Sequence, residues 1–88
     1  MKGFLNNGIY LYNLLLLIYM ERIQVNSSNI KSIGYDTLSS TLEVEFASNA
    51  VYQYFNVPEY LYQQFLNASS HGEFLDDNIR YNYRYQKK

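Results

Sequence analysis

The chain has 88 residues, enough for one small domain, with no cysteine and a single histidine, His71. That inventory excludes disulfide scaffolds, thiolate catalysis, iron–sulfur clusters and most structural zinc sites. A net charge of −1 excludes a general basic field of the kind that draws nucleic acid, yet residues 79–88 hold four bases (Arg80, Arg84, Lys87, Lys88) and no acid.

Residues 1–19, MKGFLNNGIYLYNLLLLIY, differ from the rest: one charge, Lys2, and an apolar run ending in LLLLI. A membrane-spanning helix needs about 20 apolar residues, and this run is shorter and broken by Asn13. A secretory signal needs a small-residue cleavage site, which Ile18-Tyr19-Met20-Glu21 does not offer. The segment is therefore expected to be an apolar extension upstream of a natural start at Met20. Behind that come a packed helix through which the chain would homo-oligomerise and, last, a membrane anchor. A cytoplasmic location is expected.

Residues 20–88 read as an α+β unit: a three-stranded antiparallel meander followed by two short helices. Asn26–Asn29 is a polar loop and Ile30–Tyr35 the first strand, with Asp36–Ser40 turning by composition. Thr41–Phe46 (TLEVEF) alternates strictly, Leu42, Val44 and Phe46 facing one way and Thr41, Glu43 and Glu45 the other. Ser48-Asn49 suits a two-residue hairpin turn, and Ala50–Phe55 is the third strand. Such a turn pairs Phe46 with Val51, Val44 with Gln53 and Leu42 with Phe55. Tyr52 and Tyr54 then stand beside Glu45 and Glu43 on the polar face; a slip of one residue would reverse every assignment. Pro58 suits the first turn of a helix in which Leu61 and Phe65 form the apolar stripe. Ser70-His71-Gly72-Glu73 matches a capping box, so a second helix is expected over about 71–78. The tail IRYNYRYQKK alternates aromatic with basic or polar residues and is read as extended.

These blocks in this order, SSNIKSIGYD, TLEVEF, VYQYFNVP and SSHGEFLDDNIR, resemble the KTSC domain, over about residues 20 to 85. That family is small, mostly bacterial, and named for a segment at the C-terminus of some lysyl-tRNA synthetases; it also occurs as short stand-alone proteins. Its most recognisable feature, Y-x-Y followed by V-P, stands here as Tyr52-Gln53-Tyr54 and Val57-Pro58. Ser48-Asn49-Ala50 departs from the Asn-Gly turn that relatives often carry. The synthetase context implies an RNA or tRNA ligand.

The leading expectation is thus a small non-catalytic module that binds RNA. Tyr52 and Tyr54 would stack bases, an interaction worth about 1–3 kcal/mol per base, while Lys31, Arg80, Arg84, Lys87 and Lys88 meet phosphates. Against it, Glu43 and Glu45 beside the tyrosines would repel phosphate, and the rings can instead pack beneath the helices or the tail. The alternative is a protein-interaction module that uses its tyrosines and exposed strand edges. An enzyme is not expected: His71 reads as a cap-region residue, Glu43 and Glu45 as a solvated strand face, and no phosphate loop or nucleophile elbow appears. No cofactor and no metal site are expected.

Overall fold

The computed structural model describes residues 21–88, so the readings of residues 1–19 and of Met20 as the start lie outside the described residues. The class is α+β, as expected, but the sheet has five strands among the described residues rather than three. They are β1 (Arg22–Gln24), β2 (Ile30–Asp36), β3 (Thr41–Phe46), β4 (Val51–Tyr54) and β5 (Tyr85–Lys87), antiparallel and neighbours in chain order. Two helices, α1 (Glu59–Leu66) and α2 (His71–Asn78), interrupt the run between β4 and β5. The two added strands are the sheet's edges, each three residues long, too short to show an alternation. No helix of the described residues is long and apolar enough to cross a membrane.

The β3–β4 register corrects the expected one. Leu42 pairs with Tyr54, Glu43 with Gln53, Val44 with Tyr52 and Glu45 with Val51, one residue away from the pairing that a two-residue turn would impose. The cause lies in the turn. The amide of Asn49 donates to the carbonyl of Phe46 (2.8 Å), and that of Phe46 donates to the carbonyl of Ala50 (2.8 Å). Asn49 has φ 75°, in the left-handed region. This is a three-residue loop, a type I turn followed by a left-handed residue, and asparagine takes that conformation more readily than most residues do. One extra residue in the loop moves every side chain of β4 to the opposite face.

Tyr52 and Tyr54 therefore lie on the apolar side of the sheet with Ile33, Leu42 and Val44, not on the polar side. Helix packing covers part of that side. Pro58 caps α1 from an extended conformation (φ −65°, ψ 147°), one residue earlier than a first-turn position, and its carbonyl accepts from the Leu61 amide at 3.0 Å. Leu61 and Phe65 are the buried stripe of α1. The Ser70 hydroxyl accepts from the Glu73 amide (3.3 Å), the forward half of the expected capping box, and starts α2 where the sequence placed it. Phe65 stacks on Phe74 of α2 with ring centroids 5.6 Å apart, joining the helices to each other, while Leu61, Phe65, Leu75 and Ile79 complete the core with the sheet.

The glutamates keep the face expected of them, but the two edge strands change their surroundings. On the back face, Glu43 is 2% exposed rather than solvated. Its Oε1 meets Arg22 of β1 (3.1 Å) and Lys88 just beyond β5 (2.9 Å), so one buried carboxylate ties both edges of the sheet to its centre. Glu45 accepts from the Ser32 hydroxyl (2.8 Å) and pairs with Arg22 (3.4 Å). A buried carboxylate is tolerable only with such partners.

The turn supplies a test. Asn49→Ala should cost about 1–2 kcal/mol, because a residue with a Cβ is disfavoured in the left-handed region and alanine lacks asparagine's local hydrogen bonding. Asn49→Gly, which occupies that region freely, should stay within about 0.5 kcal/mol of the parent. Urea unfolding of the three proteins reads the difference; equal stabilities of the parent and Asn49→Ala would refute the loop geometry.

Candidate nucleic-acid interface

Alternation on β4 and pairing with β5 gather aromatic rings on one patch. Tyr52 faces Lys87 and Tyr54 faces Tyr85 across the β4–β5 ladder, so all four side chains share the helix-facing side. Tyr85 lies 5.8 Å from Tyr52 and 6.1 Å from Tyr54 by ring centroids, and Phe46 meets Tyr52 edge-on at 5.6 Å and 89°. Edge-on and offset contacts at these distances are the favoured aromatic geometries. Beyond the end of α2, the Arg80 guanidinium sits 5.8 Å above the Phe46 ring. Together these residues, with Tyr81, line an open cleft of about 730 Å³ at the end of the sheet.

The rings differ in access. Tyr54 is 2% exposed and belongs to the core, and Tyr52 is half-buried in the cleft wall. Tyr85 is 60% and Tyr81 80% exposed. The surfaces available for stacking are thus on the tail more than on the central Y-x-Y pair. Burial pushes the Tyr54 phenol above its usual pKa of 10, with the neighbouring Arg80 charge working in the opposite direction.

That shift has a consequence for stability. In the folded protein Tyr54 keeps its proton to higher pH than in the unfolded chain, so its contribution is complete below pH 10 and is lost as pH rises through the raised value. Tyr62, likewise raised by burial and then by Glu59, adds to the same loss. Tyr54→Phe is expected to flatten the fall in stability above pH 10 without abolishing it, read by urea midpoints from pH 8 upward. An unchanged alkaline slope would contradict the burial of that hydroxyl.

Of the seven residues singled out in the sequence, the cleft brings together four: Tyr52, Tyr54, Arg80 and Lys87. The other three lie elsewhere. Lys31 donates to the Asn49 side chain (3.1 Å) and stands 3.9 Å from Glu45. Lys88 is on the back face with Glu43. Arg84 lines a neighbouring shallow hollow with Phe55, Tyr83 and Gln86. Phe46, Tyr81 and Tyr85 are cleft residues that the sequence reading did not name; the aromatic alternation of residues 81–85 was the available signal. The repulsion expected from Glu43 and Glu45 does not arise in the cleft, because both carboxylates are on the other side of the sheet.

His71 lies outside the cleft, its Nε2 3.2 Å from the Leu66 carbonyl and its ring 6.0 Å from Phe65, where it packs the junction of the two helices. No group of three or more His, Cys, Asp or Glu side chains that could hold a metal ion occurs among the described residues.

The fold is that of a small α+β domain, and the KTSC domain matches residues 26–83. The chain belongs to the KTSC domain family. It is 40% identical over 67 residues to an uncharacterised protein of Stutzerimonas stutzeri, covering 75% of this chain and 94% of that one. It is 32% identical over 71 residues to a lysine–tRNA ligase of Trichormus variabilis, covering 81% of this chain but 13% of the ligase. Among solved structures, a KTSC domain protein from Yersinia pestis superimposes with a TM-score of 0.76 at 42% identity, over 78% of this chain and 97% of that one. In this chain the central motif works first as a folding element. Tyr54 and Val57 are core residues, and the Val57 carbonyl accepts the Tyr35 hydroxyl.

Proposed function

We propose that this protein is a non-catalytic binding module that takes single-stranded RNA in the aromatic cleft beside β5. The observation that carries this reading is the convergence of Tyr52, Tyr81 and Tyr85 with Arg80 and Lys87 around one opening. Single-strand binding needs both parts: π-faces on which any base can stack, and cations that follow the backbone. The placement of Glu43 and Glu45 on the far side of the sheet supports the same reading, since no strand carboxylate then faces a phosphate in the cleft. The similarity to a segment of lysine–tRNA ligases, proteins whose name makes tRNA their substrate, favours RNA as the ligand. His71, packed at the helix junction, is not placed for acid–base work on a bound strand.

Titration with an unphosphorylated uridine octamer and with tRNA, followed by tyrosine fluorescence, tests this directly, since the chain contains no tryptophan. Binding is expected to weaken with salt, with a log–log slope of about −1.4 for two phosphates met by Arg80 and Lys87. Absence of binding to both at 50 mM salt would refute the reading.

A further inference from the structure

We infer that Arg80 is the phosphate-reading residue of the cleft, and that Asp76 holds it in the reading position. The inference rests on the proposed single-strand site and assigns its charge recognition to one side chain. Arg80 is constrained from three directions. Its amide donates to the Leu75 carbonyl at 2.8 Å, closing the end of α2 and fixing the root of the side chain. Its Nε lies 2.8 Å from Oδ1 of Asp76, four residues back in the last turn of α2; Nε is buried and lacks an aligned hydrogen-bond acceptor, so this contact is charge pairing. Its guanidinium carbon stands over the Phe46 ring at 5.8 Å. With Nε beside Asp76 and the side chain lining the cleft, the two terminal nitrogens are assigned to the ligand, a planar fork matched to two oxygens of one phosphate.

Among the described residues the other cations lack this preparation for the cleft: Arg22 is held on the back face by Glu43 and Glu45. Lys31 and Lys88 are occupied by Glu45 and Glu43, and Arg84 lines the neighbouring hollow. Lys87 shares the cleft, but a lysine offers a point charge on a flexible stem, and its ordering cost falls at the moment of binding. Asp76 has a cost of its own, because its negative charge partly cancels the field of Arg80. It is 56% exposed, so water screens it. Positioning therefore outweighs the lost field, and the two effects have opposite signs in an experiment.

The octamer titration is repeated on Arg80→Lys, Arg80→Gln, Asp76→Ala and Tyr85→Ala. Arg80→Lys keeps the charge but loses the guanidinium over Phe46, and a thermal unfolding scan checks that the fold survives. This variant is expected to bind about tenfold or more weakly, the loss typical of a charge-assisted hydrogen-bonded contact. Arg80→Gln should in addition lower the salt slope by about 0.7. Asp76→Ala removes a negative charge beside the cleft, so a purely electrostatic role predicts tighter binding; the positioning role predicts weaker binding. Affinity of Arg80→Lys within twofold of the parent overturns the assignment of Arg80, and tighter binding by Asp76→Ala overturns that of Asp76. If the parent binds and Tyr85→Ala loses binding while the Arg80 variants do not, only this inference fails. If the parent does not bind, the site fails with it.

Discussion

Phe65→Ala is expected to destabilise the domain by about 3–5 kcal/mol, the usual cost of emptying a core phenylalanine site. Phe65 is fully buried, stacks on Phe74 of α2 and meets the His71 ring, so its removal opens a cavity where α1, α2 and the sheet converge. Neighbours cannot collapse into that space without parting the two helices. At roughly 0.05–0.15 kcal/mol per residue a domain of this size has a total stability of about 4–13 kcal/mol, so the variant should melt far below the parent or lack a cooperative transition. Phe65→Leu keeps most of the volume and should lose distinctly less. Circular dichroism through a thermal ramp distinguishes these outcomes. A Phe65→Ala protein that melts within a few degrees of the parent would show that the helices are not held to the sheet as described.

Tyr85→Ala is expected to weaken octamer binding about five- to 150-fold, the range that corresponds to about 1–3 kcal/mol for one stacked base. Tyr85 is the informative choice because it is 60% exposed, so its truncation removes ring surface from the cleft and, toward the core, only the contact with the Tyr54 ring. Tyr52→Ala is less clean, since Phe46 packs edge-on against that ring and would lose its neighbour. Tyr85→Phe should bind nearly as the parent does, since the ring persists. The salt slope should not move in either variant, because no charge is removed. Fluorescence titration at 50 and 200 mM salt gives both quantities. Loss of less than twofold in Tyr85→Ala would remove stacking from the mechanism.

The strong alternation of TLEVEF made β3 and its two faces legible, and the Pro58 and Ser70 signals located both helices to within a residue. What escaped was the register of one hairpin, and it turned on the sign of a single φ. Ser48-Asn49 is compatible with a two-residue turn and with a three-residue loop, and Asn49 at φ 75° selects the loop. From that one residue followed the side of the sheet on which Tyr52 and Tyr54 lie. The ion partners of Glu43 were equally hidden, because Arg22 and Lys88 reach it from or beyond three-residue edge strands that carry no periodicity. For the same reason Tyr85 was not recognised as a neighbour of Tyr52, although the aromatic–basic alternation of the tail had marked the segment. Composition showed which side chains were unusual, whereas pairing decided which of them meet.

The claim on which the functional reading depends is that ligand contacts fall on the helix-facing side of β4–β5 and spare the back of the sheet. Chemical-shift mapping by NMR during titration of the uridine octamer tests it most directly. The expected perturbations cluster at Phe46, Tyr52, Arg80, Tyr85 and Lys87, with Ser32, Glu43, Gln53 and Gln86 unmoved. Perturbations centred on those back-face residues instead would contradict the account.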